Sequence, residues 1–487
     1  MSGTGRLTAT IGPRTRRIVY GAPGPAEIRD ELGQISTVDL AHVVMLAEQK
    51  LLPGDVAARL LGRITALRAS GFAELAGVPA PRGLYLAYEN LLAAELGAEV
   101  GGKLHTGRSR NDLKATTSAL RLREQVGDLA AELLRLQAVL LNRARAHRDT
   151  VMPIYTHFQP AMPVTYGYYL TGIALAAGRD VLGLRHVLAG LDRCPLGAGA
   201  VAGTDLPIEP ARTAALLGFE AAPVHATDAV ASRDGVLRAL AAAATAAVTL
   251  SRLGTDLQLW STQEFGFLSF PDRLVGGSSA MPQKRNAFLL EHLKAAAGGA
   301  IGAWTAAAAT MKSAPFTNSI EVGTEAVAGA GAALAAVRDA VQLAQVLVSG
   351  ARPDAARMLR RTHEGFVTAT VVANRLVRRG VPFRAAHHAV GAAVRAAVEA
   401  GATTLPPIAD PGRAAPAAEV TLPPLAELIA EQVHGGGPGG FDAAQAAALT
   451  ELAGHAEWFR ARQARARAAA RALDDAVRDL IRTGAPA

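Results

Sequence analysis

Three polar runs interrupt a chain that is otherwise apolar and rich in alanine: KLHTGRSRND at 103–112, YTHFQPAMPVT at 155–165 and VGGSSAMPQKRNAFLLEH at 275–292. The third sets glycines, serines and a proline ahead of Lys284, Arg285 and Asn286, just before a helical pattern. Small residues let backbone N–H groups turn inward, and the helix that follows presents its positive end to the same loop. Such a loop can stabilise an anion or a deprotonated hydroxyl; the plainer reading is a flexible connector. Ser109, Arg110 and Asn111, ahead of another helix, read by default as a capped N-terminus with solvated arginines, and otherwise as a clamp for carboxylates. A histidine in a connector, such as His157, is usually a surface or capping residue. Glu291 lies on an apolar helix flank in Leu-Leu-Glu-His-Leu, where an unpaired carboxylate is expensive and a partner is needed.

The elements that must position these groups are helical. Half of the 487 residues are hydrophobic but only 5% aromatic, and leucine, alanine and arginine lose little on entering a helix. The spacing predicts an all-α fold in three helical domains, 1–108, 109–352 and 353–487. Five long helices are expected between about 113 and 350. In the first, with Asp112 as N-cap, Leu122, Val126, Leu129, Leu133, Leu136 and Leu140 alternate spacings of four and three, a narrow seam for packing on other helices. The others cover about 165–190, 228–262, 287–312 and 324–350, several apolar nearly all round, which predicts oligomerisation. The run 155–165 is expected as a connector, 402–440 as partly loop, and 441–485 as exposed helices. A first helix of some thirty-five residues is roughly 50 Å long, so its two flanking loops cannot meet within one chain. A site using both must form between antiparallel chains.

The net charge of +8 is interspersed with acids rather than massed, and no basic stripe alternates with aromatics, which argues against nucleic-acid binding. Cys194 is the only cysteine, so neither an intrachain disulfide nor a cysteine zinc site can form. No metal-ligand spacing, Walker run or strand-linked dinucleotide fingerprint is present, so no metal and no cofactor are expected. The first twenty-five residues lack the apolar core of a secretion signal, and the longest apolar run, Ala239 to Leu250, is too short for a bilayer. The expectation is a soluble, cytoplasmic protein with no membrane partner.

HTGRSRND (105–112), YTHFQPAMPVT (155–165) and GSSAMPQKRN (277–286) resemble the three signature regions of the fumarase/aspartase superfamily, most closely argininosuccinate lyase. The likeness extends through PLGAGAVAGT (195–204), ASRDGVL (231–237), LWSTQEFGF (259–267) and GVPFRAAHHAVG (380–391). It implies a homotetramer whose central domains form a twenty-helix bundle, with each site built by three chains. It also implies a small dicarboxylate substrate from which fumarate is eliminated without a cofactor. By resemblance, Ser278 is the catalytic base, His157 is associated with the general acid and Glu291 pairs with it. Ser109, Arg110, Asn111, Thr156, Lys284 and Asn286 look like substrate ligands, and Arg233 matches a further family arginine.

The sequence departs from that pattern unevenly. Where argininosuccinate lyases carry Glu-Asp-x-His, this chain has Arg82-Gly83-Leu84-Tyr85, although Glu89 is retained. The family's Tyr-Asn-x-Asp-x-Gln-x-x-Lys run is replaced at 318–326, with Asn318, Gly323 and Ala326 for the tyrosine, glutamine and lysine; Ala287 replaces a proline. The succinyl-handling groups are thus present while those implied to hold arginine's own charged end are missing. The expectation is a carbon–nitrogen lyase acting on an N-substituted aspartate with altered amine specificity. Ordinary argininosuccinate cleavage is the second reading. A non-catalytic helical scaffold is the third, disfavoured because a scaffold has no need of the polar set around Ser278.

Overall fold

The long apolar repeats do fold as helices in this computed structural model, which describes residues 11–484 apart from 79, 81, 410–418, 421, 423 and 433. The start of the N-terminal stretch read for targeting signals and part of the 402–440 loop lie outside the described residues. Helices α1 (Pro13–Tyr20), α2 (Pro25–Glu48), α3 (Gly54–Ala69) and α4 (Leu84–Leu96) precede the central bundle. Its first helix, α5, runs Arg110–Ala146, and a two-stranded hairpin, β1 (Val151–Thr156) and β2 (Gln159–Thr165), leads into α6 (Tyr166–Gly190). After short helices α7 (Pro210–Leu216) and α8 (Ala226–Ala231) come α9 (Asp234–Trp260), strand β3 (Leu268–Ser269) and α10 (Leu289–Met311). A π-helical turn at Glu321–Glu325 and α11 (Ala326–Ala328) lead into α12 (Ala330–Gly350). Five long helices, α5, α6, α9, α10 and α12, pack side by side. All six residues of the predicted α5 seam are buried in their shared core, each leucine contributing about 2 kcal/mol.

Strand β4 (Arg352–Pro353) pairs with β3, and α13 (Ala355–Glu364), α14 (Ala369–Arg378) and α15 (Phe383–Glu399) follow. Helices α14 and α15 have a small core of their own around Leu376 and Val390. Beyond α16 (Leu425–Ala430), α17 is one helix of 46 residues, Pro438–Thr483, packed on α3, α5 and α6. The sequence pattern predicts exposed helices for this tail. One face is in fact buried, through Phe441, Ala448, His455, Phe459, Arg462, Leu473 and Val477. About one apolar residue per two turns, set among Ala, Arg and acids, hides such a stripe from composition. Arg462 is itself seated on Asp192 at 2.6 Å.

The run 155–165, expected as a connector, lies in an antiparallel ladder from Val151↔Thr165 to Thr156↔Gln159. Prolines argue against strands because they lack an N–H. Here Pro153 faces Pro163, so the missing donors coincide at one rung. The N-terminus of α5 is also set differently: Ser109 is the N-cap, and Asp112 is the third helical residue of a capping box.

Helices α9 and Glu321–Gly350 are long and apolar enough, by length and composition, to cross a bilayer. The short uninterrupted run in the sequence did not signal this. Both stand in the five-helix bundle, with apolar side chains such as Val248 and Val346 on its outer surface.

Two buried charges lead to stability predictions. The Arg108 guanidinium and Asp39 carboxylate form an ion pair with both side chains fully buried, tying the loop before α5 to α2. Tyr85 Oη accepts from Arg108 at 3.3 Å and meets His105 Nδ1 at 2.8 Å. Arg108→Met strands Asp39 without its counter-charge and is expected to cost about 3–5 kcal/mol in denaturant unfolding; a loss below about 1 kcal/mol contradicts this account. Asp180 on α6 is 8% exposed and one of its carboxylate oxygens has no partner. Burial pushes its pKa up to about 6. The folded chain then holds a proton that the unfolded chain releases near pH 4, so this group's contribution falls as pH rises from about 4 to 6. Asp180→Asn is expected to stabilise by about 2 kcal/mol above pH 7 and hardly at all at pH 4; equal shifts in melting temperature at both pH values contradict it.

Candidate active site

At one end of the bundle, the α5 cap organises the first polar run. Ser109 Oγ accepts from the Asn111 N–H at 3.3 Å, while the Ser109 N–H donates to Asp112 Oδ1 at 2.9 Å. The fully buried Asp112 also accepts from the N–H groups of Gly197 at 3.1 Å and Gly199 at 2.9 Å. This explains the glycines of PLGAGAVAGT: Gly197 and Gly199 have φ of +103° and +60°, and a Cβ on Gly199 would stand 2.5 Å from the Gly203 carbonyl oxygen. The loop so anchored presents the Ala200 carbonyl to Asn111 Nδ2 at 3.1 Å. Asn318 Nδ2 donates to Asn111 Oδ1, also at 3.1 Å. With its oxygen engaged and one N–H used, Asn111 has one N–H left for a ligand. Asn318 was noticed in the sequence only as a departure; its contact with Asn111 spans 207 positions and has no local signal.

Arg110 Nη2 donates to the Arg82 carbonyl at 3.3 Å, and its guanidinium lies 5.9 Å from the Tyr85 ring centroid. The altered 82–85 segment therefore borders the same cap. Arg233, just before α9, has φ of +47°, which is strained for a residue with a side chain. It is 9% exposed, and its Nε and Nη2 are buried without partners. Burial pushes its pKa down to about 10.

The remaining candidates lie at the other end. The hairpin turn consists of His157 and Phe158, with φ of +52° and +60°. Two successive left-handed residues suit the right-handed twist of a hairpin but usually require Asn-Gly. This strained turn leaves Thr156 and His157 exposed and Phe158 78% exposed. The 275–288 loop closes through paired backbone bonds between Gly276 and Asn286, 2.8 Å each way. Arg285 pins it to Asp272 and to the Phe270 carbonyl. Within it, Ser278 Oγ accepts N–H bonds from Ala280 at 3.3 Å and Met281 at 3.0 Å. Lys284 is exposed, and Asn286 Nδ2 reaches the Gly277 carbonyl at 3.5 Å. Glu291, in the first turn of α10, is exposed and accepts from Gln258 Nε2 at 3.3 Å; in this chain its partner is Gln258, not His157.

The chain thus brings Ser109, Arg110 and Asn111 together at one end, with Arg233 beside the same helix. Thr156, His157, Ser278, Lys284, Asn286 and Glu291 lie towards the other. At ~1.5 Å per residue, the 37 residues of α5 separate the two ends by about 55 Å. Among the described residues no hydrogen bond joins His157 to Ser278 or Glu291.

Residues 85–302 match a family model described as Lyase, and 366–409 one described as Argininosuccinate lyase C-terminal. The chain is 37% identical over 366 residues to argininosuccinate lyase 2 of Shouchella clausii, covering 75% of this chain and 79% of that protein. It is 39% identical over 366 residues to an argininosuccinate lyase of Halobacterium salinarum, covering 75% and 74%. Among solved structures, EDDS lyase in complex with formate superposes with a TM-score of 0.85 at 28% identity, over 98% of this chain and 97% of that one. A class II fumarase from Schistosoma mansoni shares the fold, with a TM-score of 0.65 at 15% identity over 77% and 88%. With relatives this similar over most of their length and the signature loops in place, the chain belongs to the argininosuccinate lyase family of the fumarase/aspartase superfamily.

Proposed function

We propose that this protein is a carbon–nitrogen lyase that eliminates an amine from an N-substituted aspartate and releases fumarate, with an amine other than arginine as leaving group. The observation that carries the chemistry is the pair of N–H bonds received by Ser278 Oγ in the loop before α10. A serine hydroxyl is a poor base until its alkoxide is stabilised, and two backbone N–H donors contribute to that. The alkoxide takes the proton from the carbon beside the substrate carboxylate. The C–H electron pair forms the double bond, the C–N bond breaks, and the departing nitrogen receives a proton from an acid associated with His157, which Glu291 supports. Lys284, Asn286 and Thr156 hold the carboxylate on which charge develops, and Ser109, Arg110, Asn111 and Arg233 complete the clamp.

Because the two groups of residues occupy opposite ends of α5, the working site is formed between chains of a homotetramer. The outward apolar side chains of α10, Ile301 and Trp304, 47% and 40% exposed, support burial against neighbouring chains. A cytoplasmic location accords with the single, buried cysteine. The altered 318–326 segment favours a changed amine, whereas the names of the relatives favour argininosuccinate itself. Fumarate absorbance with a panel of N-substituted aspartates decides between them. Turnover of argininosuccinate above every other substrate removes the altered-amine reading, and no fumarate from any substrate removes the lyase.

A further inference from the structure

Glu291 stands exposed in the first turn of α10, and its carboxylate has one hydrogen-bond partner among the described residues, Gln258 Nε2 on α9. A glutamate side chain left to itself samples many rotamers, which an imidazole docking on it must overcome. Gln258 supplies the hold, and its own orientation is fixed from the other side: Gln258 Oε1 accepts from Lys294 Nζ on α10. An amide turned by 180° would set its NH2 against the ammonium and its oxygen against the carboxylate, so the two charges together permit one orientation. Lys294 reaches the amide because Gly254, one turn before Gln258, has no side chain: a Cβ there would stand 3.3 Å from Lys294 Cγ and from Leu293 Cδ2. Asp256, on another face of α9, is engaged by Tyr169 at 2.7 Å and does not draw the ammonium away.

An ammonium, an amide and a carboxylate thus form one chain across α9 and α10. Lys294 lies three positions from Glu291 on the same helix, a spacing that favours a direct ion pair, yet the amide stands between them. A direct pair would occupy the carboxylate oxygens that an imidazole N–H needs. The amide takes one lone pair of Oε1 and leaves Oε2 open. We infer that Gln258 and Lys294 are positioning residues for proton delivery: they hold the Glu291 carboxylate, without neutralising it, in the rotamer that receives the His157 imidazole in the assembled site. This rests on the carbon–nitrogen lyase reading, in which Glu291 supports the acid associated with His157. Neither residue touches the substrate; each acts through Glu291 as the departing nitrogen takes its proton, so the effect falls on kcat and spares substrate affinity.

The test follows fumarate release by the full-length protein from whichever N-substituted aspartate it turns over fastest, argininosuccinate included. Gln258→Met keeps the length of the side chain and removes the N–H. It is expected to lower kcat about 10- to 100-fold, the scale of one hydrogen bond to a charged group, with KM changed less than about threefold. Lys294→Met frees the amide to rotate and is expected to lower kcat about 3- to 10-fold, while Lys294→Arg retains most of it. In a Glu291→Gln background neither Met variant should cost more than about a further twofold, because the group through which it acts is already gone. A Gln258→Met kcat within about threefold of wild type overturns the inference and leaves the lyase standing. A full further loss in the Glu291→Gln background also overturns it, since Gln258 would then act only on structure. Should Gln258→Met fail to fold, Lys294→Met decides through the same cycle. Wild-type kcat in Glu291→Gln alone removes Glu291 from the proton path and this inference with it, and no fumarate from any N-substituted aspartate removes the lyase reading as well.

Discussion

Replacing Ser278 with alanine is expected to lower fumarate release by about 10³-fold, the scale of a lost general base, without changing the melting temperature. The loop is hinged by the Gly276–Asn286 bonds and the Arg285 contacts, none of which involves the Ser278 side chain. Only the two N–H groups of Ala280 and Met281 lose their acceptor, and Ala280 and Met281 are exposed, so water replaces it. The effect should fall on kcat, because the alkoxide matters as the proton moves and substrate affinity comes from other residues. Stopped-assay fumarate detection at saturating substrate checks this. A variant retaining more than about a tenth of wild-type kcat would assign the base elsewhere.

The second large effect concerns assembly. Asn111→Ala and Ser278→Ala are each expected to be almost inactive alone, yet co-assembled chains should recover activity about 100-fold above either parent. The reason is the length of α5: one chain carries its Asn111 end about 55 Å from its hairpin end, so a site of the kind we propose draws these groups from different chains. A mixed tetramer then contains some sites in which both groups are intact. Coexpression with two affinity tags isolates the mixed species, and native mass spectrometry verifies its composition. Inactive mixed tetramers would sink the shared-site proposal, as would an active monomer.

Much of the architecture was legible because its signals are periodic and local. The Leu122–Leu140 seam repeats every three or four residues, and that spacing alone places one side of α5 in a core. The Ser-Arg-Asn and Gly-Ser-Ser runs announced themselves by interrupting apolar helices. The β1–β2 hairpin did not, because two prolines mask a strand pattern unless they are known to face one another. The long α17 escaped for the opposite reason: its buried residues are too sparse to outweigh the arginines and acids between them. The cap of α5 was misplaced by three residues because Ser109 and Asp112 are both good capping types, and only the reciprocal bonds of the box distinguish their positions.

By itself, the sequence determined that the chain is helical, that three polar runs interrupt its apolar helices and that residues of the argininosuccinate lyase pattern at 82–85 and 318–326 are replaced. Those facts reside in residue identity and short-range spacing. Tertiary structure decided that Asn318 fixes the Asn111 amide and that two backbone N–H groups converge on Ser278. Each depends on the direction of a side chain or N–H group, often across many positions of chain, and direction is set by packing.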